Sequence, residues 1–189
     1  MVKELEKTVP RVVFFDLRYG QEESNQTSKV NKDEAAFITE LISILYRVLE
    51  TACKDQAGKE LRSKVGIITP YKQQTHTLKD GIYPLLRQLK LPLDTVEINT
   101  VDAYQGREKD IIIISCVRGS QERSLGFLND YRRMNVAITR AKSFLWVVGN
   151  GHTLRRNDHW DAFVRYASTA PAACLKLQSK EQWSKEGIL

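Results

Sequence analysis

Short runs of β-branched and aromatic residues alternate along this chain with longer segments in which apolar residues recur every three or four positions. Residues 11–17 (RVVFFDL) have the first character and predict a strand. Residues 31–50 (NKDEAAFITELISILYRVLE) have the second and predict a helix, with Asn31 as its cap and Glu34 three positions on. Residues 64–69 predict a second strand, and Pro70, placed at the first helical position behind Thr69, opens a second helix. Strands follow at 95–100, 110–116 and 143–149, and 129–141 predicts the helix before the last of them. The stretch 18–29 reads as a polar loop.

The run DIIIISC (110–116) has no polar face at all. A strand apolar on both sides belongs to a parallel sheet covered by helices on each face, so the expected class is α/β, doubly wound, with a mostly parallel sheet. The expected domain is 10–168, with 1–9 and 169–189 as flanking segments. No internal repeat or long low-complexity linker interrupts it.

Composition narrows the setting. With 189 residues and 42% hydrophobic content, the chain can bury one sizeable core. No apolar run nears the roughly 20 residues of a membrane span, and residues 1–10 lack the apolar middle of a signal peptide, so a soluble, intracellular chain with no membrane partner is expected. Cys53, Cys116 and Cys174 have no metal-binding spacing, which suits reduced thiols and no metal site. His76, His152 and His159 form no ligand pattern, and Trp146, Trp160 and Trp183 read as core or interface residues. A net charge of +6 and a pI near 9.2 permit a polyanionic partner without requiring one. Cations gather at Arg118, Arg123, Arg132, Arg133, Arg140 and Lys142, which reads equally as a solvated face.

Ligands of such sheets collect beyond the carboxyl ends of the strands, which points to the loops TPYKQQ, NTVDAYQGRE and CVRGSQERSLGF. Thr69 offers a hydroxyl and Tyr71 a ring for a base or sugar, although a helix cap with a packing aromatic explains both more plainly. In the second loop, Gly106 permits close approach to phosphate, Gln105 can orient a water or phosphate oxygen, and Glu108 can accept from ribose hydroxyls. A surface salt bridge accounts for that acid and its basic neighbour equally well. Arg140 has the planar, permanently charged fork suited to a phosphoryl group in transfer, but a solvated helix arginine is the plainer reading.

Taken in order, VGIITPYKQQ, NTVDAYQGREKDIIIISCVR and RRMNVAITRAKSFLWVVGN resemble motifs IV, V and VI of superfamily 1 helicases, over nearly the whole chain. GFLNDYRRMNVAITRAK most resembles the senataxin branch. The resemblance implies the second RecA-like domain of a two-domain motor, with ATP and Mg²⁺ in the cleft against the first RecA-like domain. It implies that Gly106 neighbours the γ-phosphate, that Glu108 contacts the ribose and Gln105 the phosphates, and that Arg140 is the catalytic finger. It also places Thr69 and Thr100 on the backbone of single-stranded RNA or DNA, where Tyr71 would join them as a stacking ring, with 5′ to 3′ movement and unwinding of RNA:DNA hybrids in transcription termination or R-loop removal. The implied location is the nucleus, with the cytoplasm as the other setting.

The phosphate loop and the magnesium-binding Asp-Glu pair are missing: Gly58-Lys59 is followed by Glu60, and Cys53 stands where the first glycine belongs. The chain is therefore expected to be half of a longer enzyme and inactive alone, with the magnesium ligands in the other half. The alternative is a non-catalytic RecA-like module that binds nucleic acid or protein.

Overall fold

A computed structural model describes residues 5–6, 9–25, 28–53, 61, 64–119, 125–169 and 174–179. Arg123, Trp183 and the Gly58–Glu60 stretch lie outside the described residues. The strands are β1 (Val12–Leu17), β2 (Glu23–Asn25), β3 (Ser28–Val30), β4 (Val65–Thr69), β5 (Val96–Thr100), β6 (Lys109–Ser115), β7 (Ala141–Gly149) and β8 (Cys174–Leu177). The helices are α1 (Lys32–Cys53), α2 (Lys72–Gln88), α3 (Tyr131–Ile138), α4 (Gly151–Leu154) and α5 (Asp158–Thr169). Six strands form one sheet in the order β5-β4-β6-β7-β1-β8, with every pairing parallel, as the apolar strands predict.

Side-chain alternation divides the core between the two faces of that sheet. Ile111 and Ile113 of β6, with Phe144, Trp146 and Val148 of β7, pack beneath Phe37, Ile38, Leu41 and Leu45 of α1. Ile112, Ile114, Leu145 and Val147 face the other way, against Trp160 and Val164 of α5 and Ala137 of α3. Burying a large aliphatic side chain is worth about 1.5–3 kcal/mol, so the isoleucine run of β6, enclosed on both faces, anchors the fold.

Four local expectations shift. Thr69 stays in the sheet, in register with Thr100, so the chain needs two residues to turn. Tyr71 is extended, and α2 starts at Lys72 rather than at Pro70. The helix expected over 129–141 is shorter: Asp130 caps it by accepting from the Arg132 N–H at 2.9 Å, and it stops at Ile138 because Ala141 must pair with Lys109. That leaves Arg140 in the turn, off the helix.

The polar loop 18–29 contains the antiparallel hairpin β2–β3. Glu22 docks it by accepting from Lys29 at 2.6 Å and from the Gly119 N–H at 3.2 Å, and its carboxylate forms an ion pair with the Arg118 guanidinium at 2.8 Å. Finally, the core extends past the expected flanks. β8 pairs with β1 from Phe14↔Cys174 to Leu17↔Leu177, with Leu177 fully buried, and Leu5 and Val9 are buried at the other end. An alternating CLKL stretch of four residues is too short for its pattern to mark it as a strand.

Candidate functional site

Because every strand runs the same way, the sheet has a carboxyl edge and an amino edge, and the candidate residues divide between them. Thr100 ends β5 at the carboxyl edge, while Glu108 immediately precedes β6 at the amino edge. Residues 101–108 thus cross the full height of the sheet. Their anchor is Tyr104, fully buried, whose ring lies over Gly66 of β4 so closely that a Cβ there would sit 2.1 Å from the phenol oxygen. Glycine is required at 66 because the crossing segment occupies that space. Burial raises the Tyr104 phenol pKa above its usual range, and Glu97 adds to the effect, so the hydroxyl stays neutral.

At the amino edge the crossing segment meets the end of the α3–β7 turn. The Lys109 N–H donates to the Arg140 carbonyl at 3.1 Å, and Lys109 pairs with Ala141 in the ladder. This ladder sets Glu108 beside Arg140, although 32 residues separate them along the chain, with Gly106 two positions before Glu108. Gly106 has φ +80 with nothing within 4 Å of where a Cβ would stand, so its backbone is open to a close-approaching group. Gln105 is exposed.

Glu108 lies 4.0 Å from Lys142, both half exposed, which is a loose contact. Arg107 turns away to pair with Glu97. Partial burial opposes ionisation of Glu97, yet Lys109 and Arg107 together hold its carboxyl below the usual range. Arg140 donates from Nε to the Val136 carbonyl at 3.0 Å and from Nη2 to Thr139 Oγ1 at 3.0 Å. It has no carboxylate partner among the described residues, so its charge is held in place without being neutralised.

The loop expected at the carboxyl ends of the strands thus begins there at Thr100 but carries Glu108 to the opposite edge, beside Arg140. At the carboxyl edge, two of the residues assigned to nucleic acid are covered. Thr69 is fully buried with its hydroxyl unpaired among the described residues, and Tyr71 is 4% exposed with its ring edge-to-face against Phe127 at 5.4 Å. Neither side chain reaches a strand passing outside. Of the three residues assigned to nucleic acid, Thr100 alone remains partly exposed, with Oγ1 accepting from the Ala103 N–H at 3.4 Å.

Beneath that edge lies a polar network with no counterpart in the sequence reading. Asn31 caps its helix as expected, accepting at Oδ1 from the Glu34 N–H at 3.0 Å, but the Glu34 side chain, which in a capping box would reach back to the Asn31 N–H, accepts at Oε2 from Ser115 Oγ at 2.7 Å and from the Val117 N–H at 2.9 Å. The Asn31 N–H, which a capping box would give to Glu34, goes to Gln74 at 2.9 Å. Burial pushes the Glu34 carboxyl up to about 8 against the opposing hydrogen bonds from Ser115 and Val117. Val117, with φ +71, is held through its N–H by Glu34 and through its carbonyl by Asn31 Nδ2 at 3.0 Å. A β-branched residue in that conformation is strained and persists because both of its backbone groups are fixed. A lone glutamate near a helix start gives no sign of a partner 81 residues away.

Trp146 and Trp160 are core residues, and His76, His152 and His159 are exposed. Among the described residues no group of three or more His, Cys, Asp or Glu side chains could hold a metal ion, and no helix is long and apolar enough to cross a membrane.

A parallel sheet with an open glycine–glutamate corner beside an unneutralised arginine at one edge, and a polar strand-end surface at the other, has the build of a RecA-like motor domain. The profile of the AAA domain family matches residues 1–152. Helicase sen1 of Schizosaccharomyces pombe is 36% identical over 150 residues, covering 79% of this chain and 8% of that protein. The putative regulator of nonsense transcripts 1 of Takifugu rubripes is 42% identical over 151 residues, covering 79% and 13%. The ATP-dependent helicase upf1 of S. pombe is 37% identical over 154 residues, covering 80% and 16%. The chain thus belongs to the AAA domain family, as a C-terminal superfamily 1 helicase domain of the senataxin-like kind, and it spans less than a fifth of the length of these relatives.

Proposed function

We propose that this chain is the second motor domain of an ATP-dependent helicase that moves 5′ to 3′ on single-stranded RNA or DNA and opens RNA:DNA hybrids during transcription termination or R-loop removal. The nucleus is the proposed setting, with the cytoplasm as the other. The observation that supports the reading most is the convergence of Gly106, Glu108 and an uncompensated Arg140 at one edge of the sheet. ATP, as substrate, lies between this edge and the first RecA-like domain of the same protein. The open backbone at Gly106 takes the phosphates with Gln105 beside them, and Glu108 accepts from the ribose hydroxyls. Arg140, already oriented by Val136 and Thr139, meets the charge that develops on the transferred phosphoryl group. The described residues do not fit magnesium, since they gather no group of carboxylates, and no step here runs through it. A non-catalytic binding module has no use for an arginine kept free of a carboxylate at this corner.

Nucleic acid passes over the opposite edge, at the end of β5 marked by Thr100. Thr69 and Tyr71 contribute by supporting that surface from below.

The test is ATP turnover by the isolated chain and by the complete protein, with and without single-stranded RNA. The chain alone is expected to turn over no ATP, and the complete protein to do so in a strand-stimulated way. Strand-dependent hydrolysis by the chain alone would overturn the division of labour between two domains.

A further inference from the structure

The short 3₁₀ turn Gly126–Asn129 directs its largest apolar side chain outward. With three residues per turn, Leu125 and Leu128 fall on one side and are 1% and 6% exposed, while Phe127 between them is 45% exposed. Phe127 meets Tyr71 edge-to-face at 5.4 Å, and the Arg133 guanidinium stands 4.8 Å from its ring centroid. Gly126 allows this close seating: its φ is +56, and a Cβ there would stand 2.9 Å from the Tyr71 hydroxyl. Tyr71, read from the sequence as a ring for a base or sugar, is thus the support of a second ring that does reach solvent.

Phe127 borders a cavity of about 440 Å³, within the size range of ligand sites. The cations around it are already engaged: Lys29 and Arg118 with Glu22, and Arg133 with both oxygens of Asp102 at 3.1 and 3.2 Å. What the cavity offers is therefore aromatic surface in place of uncommitted charge. Such a surface suits an unpaired nucleobase, which stacks on aromatic side chains and on guanidinium planes.

Its place in the sheet supplies the second argument. β4 lies between β5 and β6 and ends at Thr69, and Tyr71 follows two residues later, so the cavity adjoins the end of β5 on the carboxyl edge. Side chains join the two places. Asp102, two residues beyond Thr100, holds Arg133, and Arg133 lies over Phe127. A strand whose backbone touches Thr100 brings its neighbouring bases to Phe127.

We propose that Phe127 is a base-stacking residue for the single strand, taking an unpaired nucleobase against its ring beside Arg133. This rests on the proposed strand-binding function and adds to it a contact with the bases, where Thr100 supplies one with the backbone. Every base has a π-face, so the contact adds affinity without selecting a sequence.

The test uses the complete two-domain protein and two fluorescently labelled strands of equal length, an oligothymidylate and an abasic deoxyribose-phosphate strand, in anisotropy titrations. Phe127→Ala is expected to weaken oligothymidylate binding by about 5- to 150-fold, the loss typical of one stacked base. Its affinity for the abasic strand and its slope of log K against log salt should not change, because no phosphate contact is lost. Phe127→Leu keeps apolar contact with Tyr71 without an aromatic face and should weaken oligothymidylate binding in the same way, while Phe127→Trp should preserve it. Thr100→Ala should weaken both strands alike, because it removes a backbone contact.

Full oligothymidylate affinity in Phe127→Ala, with Thr100→Ala still weakening both strands, overturns the stacking and leaves the strand reading standing. Full affinity in Phe127→Leu does the same, since the contact would then be apolar packing. An equal loss on the abasic strand also overturns it, by making Phe127 a packing surface for another part of the protein. If the unaltered protein binds neither strand, or neither Thr100→Ala nor Phe127→Ala has an effect, the strand reading fails and the stacking assignment with it.

Discussion

The two edges of the sheet are built in opposite ways. At the amino edge, Gly106 has open space around it, Glu108 makes one loose contact, and Arg140 is held by a carbonyl and a hydroxyl with its charge intact. At the carboxyl edge, Thr69, Gln74, Ser115 and Glu34 are buried, and most of the polar groups there are bonded to partners distant in sequence. The first edge is unfinished without a ligand or a facing surface, and the second is complete in itself. Substitutions at the amino edge should therefore change chemistry while sparing stability, and those beneath the carboxyl edge should do the reverse.

The sharpest attempt to break this contrast is Arg140→Ala in the complete two-domain protein. Turnover should fall by about 10³- to 10⁵-fold, as for other arginines that meet phosphoryl charge. The melting temperature should hold, because the side chain's lost bonds are exposed or only partly buried. Lysine should rescue poorly, since it keeps the charge without the planar fork. Unimpaired turnover, or a fall in melting temperature that accounts for the lost activity, would move Arg140 from chemistry to structure.

A smaller effect, of the opposite kind, is expected at Gly66. Gly66→Ala drives a methyl group into the Tyr104 ring, and the crossing segment must yield, at a cost of about 1–3 kcal/mol in chemical denaturation. A neutral result would mean that the segment is not pinned there.

A further effect concerns pH. The folded pKa of Glu34, about 8, lies above its ordinary 4.5, so over that interval the folded chain keeps a proton that the unfolded chain has released. Its contribution to stability is complete below about 4.5 and declines as pH rises toward 8. Glu34→Gln should flatten that decline in urea midpoints measured between about pH 5 and about pH 8. A decline that survives the substitution would assign it to other groups.

Much of the fold is legible in local pattern, because burial on two faces leaves a two-sided apolar run such as Ile111–Ile114, and that run alone requires a parallel, helix-covered sheet. That Glu108 and Arg140 adjoin is not legible in the same way: local pattern puts Arg140 on a helix, and only the backbone pairing of Lys109 with Ala141 brings the two strand starts together. The direction of a side chain at a strand end is not legible in this way. Thr69 reads as an available hydroxyl and lies inside, and Tyr71 reads as a platform and is covered by Phe127. Partners distant in sequence are equally hidden. Glu34 with Ser115, Glu22 with Arg118 and Asp16 with Gly151 each join segments whose proximity the sheet order alone decides.

The short strand β8 bears on where this domain can be cut. β1 pairs with β7 on one side, from Val12 to Asp16, and with Cys174 to Leu177 on the other, from Phe14 to Leu17. A protein ended at residue 168 would lose the second neighbour and present a bare row of N–H and C=O groups beside the side chains that Leu177 now covers. An unguarded strand of that kind is a template for another chain. A version trimmed to the boundary that the sequence pattern suggests would therefore tend to self-associate, and a titration with nucleic acid would then report clusters in place of single molecules. Four residues with an unremarkable pattern thus cover the longer and more apolar edge that β1 would otherwise present.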